Sequence, residues 1–121
     1  MDIQKIKNIV AAAEDACVDY PFEDDFETAV LRRASSRKWF GVYIAVPKKH
    51  FGEGQGSEFC LNLKCPPELS VMLRQTYRGI VPAWHMNKTH WITVRLHADV
   101  PDEEAEKLIE LSRSMAGGKR L

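Results

Sequence analysis

The sequence predicts an α+β fold: a two-layer sandwich with a mostly antiparallel sheet and helices on one face. Apolar residues recur at helical spacing in three stretches and alternate with strand spacing in four others. The order is helix, three strands, helix, strand, helix, and the short connections favour antiparallel neighbours.

The first helix follows from Ile3, Ile6, Val10, Ala13 and Cys17, one stripe at 3-4-3-4 spacing, with Asp2 as its cap and Asp19-Tyr20-Pro21 as its stop. After an acidic run, "TAVLRR" (28–33) reads as a strand, "SSRK" as a turn and "WFGVYIAV" (39–46) as a second strand. "PKKHFGEGQGSE" (47–58) reads as a mobile loop. Its glycines precede a strand, so they lack the helix-terminus dipole that a phosphate loop uses. "FCLNLKC" (59–65) is the third strand. The following proline pair opens a second helix that buries Leu69, Met72, Leu73 and Tyr77 and stops at Gly79. "WITVRL" (91–96) is the fourth strand. The last helix opens at Pro101, places Asp102, Glu103 and Glu104 against its positive dipole end, and buries Ala105, Leu108, Ile109, Ser112 and Met115. Residues 1–116 are expected to form one domain, with 117–121 a disordered tail.

At 121 residues the chain can bury roughly 65% of its unfolded surface, enough to fold without disulfides or metal. The net charge is zero, which argues against indiscriminate DNA coating driven by phosphate neutralisation. The charges are nevertheless segregated. Seven acids and no base lie between Glu14 and Glu27, so the rest of the chain carries 17 bases against 10 acids. That run would bind a hard cation, form a solvated edge, or repel nucleic acid so that the basic remainder faces a polyanion. Three cysteines (Cys17, Cys60 and Cys65) form no even framework, and the start of the chain resembles neither a signal segment nor a membrane span. The expectation is a cytoplasmic protein with reduced thiols and no membrane partner.

Alternation assigns the strand faces. Ile92, Val94 and Leu96, with Phe40, Val42, Ile44 and Val46, and with Phe59, Leu61, Leu63 and Cys65, point at the helices. Trp39, Tyr43, Asn62, Lys64, Trp91, Thr93 and Arg95 are left on an open face. Flat aromatics beside cations suit base stacking with phosphate contact, at about 1–3 kcal/mol per stacked base. Cross-strand aromatic pairs that stabilise the sheet by roughly 0.2–1 kcal/mol each are the structural alternative.

The segment "PAWHMNKTHWITVRL" (82–96) concentrates functional side chains ahead of the last strand. His85 and His90 are five apart, as are Cys60 and Cys65, and only the histidine half approaches zinc-ligand spacing. A Cys60 or Cys65 thiolate with a histidine base lacks any accompanying nucleophile elbow. Asn87 suits a left-handed turn, with Trp84 and Met86 folding inward as a plug.

The segments "LNLKCPPEL", "YRGIVPAWHMNKTHWITVRL" and "VPDEEAEKLIELSRSM", with "DYPFEDD" upstream, resemble the MmcQ/YjbR family of small bacterial proteins. The resemblance implies a frataxin-related, CyaY-like α/β sandwich and DNA binding through a double-wing arrangement. The family signature falls on Lys64, Cys65, His85, Asn87, Lys88, His90 and Trp91. This chain departs from the family pattern at Thr89, Ile92 and Ala83-Trp84, losing a cation and an amide beside the signature. The acidic run lies where frataxins carry iron-binding acids, an analogy of fold only.

These readings converge on a DNA-binding module, monomeric or weakly dimeric. It would use the open face (Trp39, Tyr43, Lys64, Trp91, Arg95) together with His85, Asn87, Lys88 and His90. No catalytic residue, metal or cofactor is expected. The alternatives are a small-molecule, metal or enzymatic site around His85, Asn87, Lys88, His90 and Cys65, and a protein-interaction surface on Trp39, Tyr43 and Trp91.

Overall fold

Asp2 starts the first helix. Its carboxylate accepts the Lys5 N–H at 2.9 Å and caps α1 (Ile3–Ala12). In the computed structural model, which describes residues 1–117, there follow β1 (Ala16–Asp19), β2 (Ala29–Arg33), β3 (Trp39–Pro47), β4 (Ser57–Lys64), α2 (Pro67–Thr76), β5 (Ile80–Pro82), β6 (Trp91–Arg95) and α3 (Asp102–Gly117). A 3-10 turn, Lys48–Phe51, joins β3 to β4. The six strands form one antiparallel sheet in the order β1-β2-β3-β4-β6-β5. The helices cover one face: Ile6 and Val10 of α1, Leu73 of α2 and Leu108 and Ile109 of α3 share a core with Leu31, Leu61, Leu63, Ile92 and Val94. This is the expected α+β sandwich.

Two short edge strands escape the sequence pattern. The first helix ends at Ala12, not at the Asp-Tyr-Pro stop, and Cys17 lies in β1, paired with Arg32. Asp15 explains the break. It sits in the left-handed region (φ 53) and anchors the turn with its carboxylate, which accepts from the Ser35 hydroxyl and N–H and from Arg33. At the other edge β5 has only three residues, too few to alternate visibly. Gly79, expected as a helix stop, lies beyond a helix that already ends at Thr76. A Cβ at Gly79 would sit 2.9 Å from Ala98 Cβ, so close approach accounts for the glycine. Met72 stays 62% exposed because α2 buries the narrower stripe of Ser70 and Leu73. On α3, Ala116 is buried and Met115 only partly so. Gly117 closes α3 instead of opening a tail, and residues 118–121 lie outside the described residues.

A bulge in β3 overturns part of the face assignment. Leu31 pairs with Gly41 and Arg32 with Trp39, leaving Phe40 as an extra residue. One extra residue reverses every later side chain in the strand. Gly41, Tyr43 and Ala45 therefore pair with Leu63, Leu61 and Phe59 on the helix-covered face, and Tyr43 stacks on Phe59 with ring centroids 4.7 Å apart. Val42, Ile44 and Val46, expected beneath the helices, instead share the second face with Asn62, Cys60 and Glu58. The bulge is held from the helix layer: Ser112 of α3 donates to the Phe40 carbonyl and accepts the Lys64 N–H.

Candidate nucleic-acid interface

The second face is not open. Val30, Val42, Val46, Cys60, Asn62 and Thr93 are all buried there. Segments outside the helix layer supply cover at three points. Phe22, from the acidic segment, packs edge-on against Trp39 at 6.1 Å. The loop between β5 and β6 lies over the middle, and Phe51 of the 3-10 turn lies under the Arg95 guanidinium at 4.1 Å.

The β5–β6 loop carries His85, Asn87, Lys88 and His90 of the signature, and a closed ring of three hydrogen bonds fixes it. The Trp84 N–H donates to the Thr93 hydroxyl at 2.9 Å, Thr93 donates to Asn62 Oδ1, and Asn62 Nδ2 donates to the Trp84 carbonyl at 3.0 Å. Asn62 and Thr93 pair directly across β4 and β6, so the sheet register creates the ring. Both were expected to be solvent-facing. Their polarity inside otherwise apolar strands was the available signal. Beyond Trp84 the chain turns through His85 at φ 60, so His85, not Asn87, takes the left-handed position. Asn87 instead accepts the N–H groups of Thr89 (2.8 Å) and His90 (3.1 Å) through its side chain. Trp84 and Met86 are half-buried, while His85, Asn87, Lys88, Thr89 and His90 are exposed.

The structure divides the predicted residues. Trp39, Lys64, Trp91 and Arg95 share the second face; Tyr43 does not. Trp91 is only 9% exposed, with Lys64 Nζ at 5.8 Å from its ring, which leaves little surface for a stacked base. Arg95 is occupied by Glu58 and Glu53 at 2.7 and 2.8 Å, and the two carboxylates hold its guanidinium firmly charged. A dimer face built on Trp39, Tyr43 and Trp91 loses Trp91 to burial and Tyr43 to the helix-covered face, which leaves the half-buried Trp39.

Cys65 is fully buried, its backbone N–H donating to the His90 carbonyl at 2.9 Å, and burial pushes its thiol up to about 11. Burial, with Glu58 alongside, pushes the Cys60 thiol up to about 12. Neither offers a thiolate near neutral pH. Among the described residues no three His, Cys, Asp or Glu side chains gather as metal ligands. In the acidic run, Asp19 pairs with Arg32 (3.0 Å) and Arg37 (3.3 Å), and Asp25 accepts the Thr28 hydroxyl at 2.6 Å.

Lys88, of the signature, lines a cavity. A space of about 670 Å³ beside β5 is lined by Lys88, His50, Phe51, Glu53, Arg78 and Arg95, with Val81 and Pro82. A neighbouring space of about 490 Å³ shares Glu53, Arg78 and Arg95 and adds Lys48, Glu58, His97, Ala98 and Asp99. Lys48, Arg78 and Lys88 have no carboxylate within ion-pair distance among the described residues. Sequence reasoning missed Lys48, Glu53, Glu58 and Arg78. Paired acids flanking the glycine-rich stretch "GEGQGSE" were the only hint of a partner for Arg95.

A family model described as YjbR matches residues 11–115. The chain belongs to the YjbR family. "Uncharacterized protein YyaQ" of Bacillus subtilis is 44% identical over 95 residues, covering 78% of this chain and 80% of that protein. "Uncharacterized protein YjbR" of Escherichia coli K12 is 39% identical over 56 residues, 46% of this chain and 48% of that protein. The crystal structure of a Pseudomonas syringae protein superposes with a TM-score of 0.87 at 34% identity, covering 96% of this chain and 99% of the other. Deinococcus radiodurans DR2400, described with the domain DUF419, gives a TM-score of 0.70 at 26% identity over 91% of this chain and 74% of its own. The YjbR match takes in the whole β5–β6 loop and every residue lining the two cavities. No helix among the described residues is long and apolar enough to cross a membrane.

Proposed function

We propose that this YjbR-family chain binds nucleic acid along the groove beside β5, gripping phosphates with Lys88, Arg78 and Lys48 instead of stacking bases on the sheet. One observation supports the reading. Cations from three segments distant in sequence, the 3-10 turn, the turn after α2 and the signature loop, line adjoining cavities of a protein whose net charge is zero. The hydrogen-bond ring through Asn62 and Thr93 holds the loop backbone at Trp84 and Asn87 holds the turn that follows, so Lys88 projects from an ordered backbone. Exposed lysines and arginines of this kind release counterions on meeting phosphate, which makes binding weak, salt-sensitive and broad in sequence preference.

Fluorescence anisotropy with labelled single-stranded and duplex DNA at about 50 mM salt tests the reading, since phosphate contacts are strong at that ionic strength. Lys88→Ala is expected to weaken binding to all sequences alike and to flatten the log–log salt slope by about 0.7–0.9, the value of one phosphate contact. Absence of binding by the unaltered chain overturns it.

A further inference from the structure

Arg95 is the most contested cation in the groove. It donates from Nε and Nη2 to Glu58 at 3.1 and 2.7 Å, and from Nη1 and Nη2 to Glu53 at 2.8 and 3.0 Å. One positive charge therefore answers two carboxylates, and those two are not equivalent. Glu58 belongs to β4, two residues from Cys60, the direct cross-strand partner of Arg95, and its side chain is 17% exposed. Glu53 stands in the turn that follows Gly52 (φ 74), and its side chain is 50% exposed. Removing Glu58 would disturb a strand; swinging Glu53 into solvent disturbs only a side chain.

The position Glu53 occupies is chemically specific. Two of its oxygens meet two guanidinium N–H groups, a fork that a phosphate fills as well as a carboxylate does. Glu53 also lines both cavities, together with Arg78 and Arg95. Lys48 lines one and Lys88 the other, so turning Glu53 away would leave four cations facing them. The acids that remain are committed elsewhere: Asp99 accepts the backbone N–H groups of Arg78 and Gly79 at 2.8 and 2.7 Å, and Glu58 keeps the Nε side of Arg95.

We infer that Glu53 is an internal competitor for a phosphate site on Arg95, and that a phosphodiester of nucleic acid displaces it to complete the groove. The inference rests on the nucleic-acid reading and adds its regulation: the glycine-flanked turn masks the central cation until a polyanion replaces the Glu53 carboxylate.

The test titrates labelled single-stranded and duplex DNA at about 50 mM salt against the unaltered chain, Glu53→Gln and Glu103→Gln. Glu103→Gln makes the same change in net charge on α3, in a cavity lined by none of the groove residues. Glu53→Gln is expected to bind about fivefold tighter, the ratio matching an exposed ion pair near the upper end of its usual range. Its salt slope should steepen by about 0.7–0.9, one added phosphate contact. Glu103→Gln should stay within about twofold of the unaltered chain, as a screened remote charge would. Equal affinity of Glu53→Gln and the unaltered chain, or an equal gain in both variants, overturns the displacement and leaves the nucleic-acid reading intact. No binding by any of the three overturns both.

Discussion

Thr93 illustrates how much of this protein turns on single polar atoms. Its hydroxyl both accepts from the Trp84 N–H and donates to Asn62, so a valine of the same shape would leave two buried polar groups without partners. Thr93→Val is expected to lower unfolding free energy by about 1–3 kcal/mol, the usual penalty for orphaned buried polar groups. Urea denaturation checks this, and an unchanged midpoint would show that the loop does not depend on the ring. The thiols offer a second measurement at this scale. Cys17 is partly exposed, whereas Cys60 and Cys65 are fully buried and their thiols are pushed up to about 12 and 11. Iodoacetamide at about pH 8, just below the ordinary thiol pKa, should alkylate Cys17 in the native protein and reach the other two only after unfolding. Mass spectrometry reads the count directly; early labelling of Cys65 would contradict its burial.

Among the elements, β3 decides what the rest of the sheet can present. Its bulge at Phe40 depends on Gly41, because a Cβ there would stand 2.7 Å from Leu31 Cδ1 and 3.2 Å from Leu31 Cβ, inside the core. Gly41→Ala should destabilise the fold by about 1–3 kcal/mol through overpacking, measurable as a lower urea midpoint. A neutral result would mean that Leu31 can yield. This element also marks where sequence reading succeeds and fails. The helices and the four longer strands were legible because each repeats its apolar period several times. The parity of β3 was not, since a bulge leaves no trace in a run as uniformly apolar as "WFGVYIAV". The strands β1 and β5 were hidden for the opposite reason, being too short to show a period at all. At the candidate site, Lys88 and the exposed histidines could be read from the signature. The engagement of Arg95 could not, because Glu53 and Glu58 lie 42 and 37 residues away in sequence and meet it only through strand register and the turn.

For the whole molecule, net neutrality conceals a set of carboxylates tuned to stay ionised. Hydrogen bonds from the Ser35 hydroxyl to Asp15, from the Thr28 hydroxyl to Asp25 and from the Arg78 N–H to Asp99, with the Lys5 ammonium on Asp102 and Arg95 on Glu53, hold all five below their ordinary range. Depressed values mean that the unfolded chain takes up protons first as the solution is acidified. The stability these groups contribute is therefore present above the ordinary values, 3.8 for aspartate and 4.5 for glutamate, and is lost as pH falls through the lower folded values. Urea midpoints should be level from about pH 7 to pH 5 and fall below about pH 4. A midpoint that held through that acid range would contradict the pairing.

The two strands at the margins of the sheet matter for a different reason. With no net charge, copies of this chain do not repel one another in concentrated solution, and a long bare strand edge would template fibril growth. The sheet ends instead in its two shortest strands, four residues at β1 and three at β5, and the last residue of β5 is Pro82, which has no N–H to offer an incoming chain. Brevity at the margins thus supplies a protection against fibrils that electrostatics here does not.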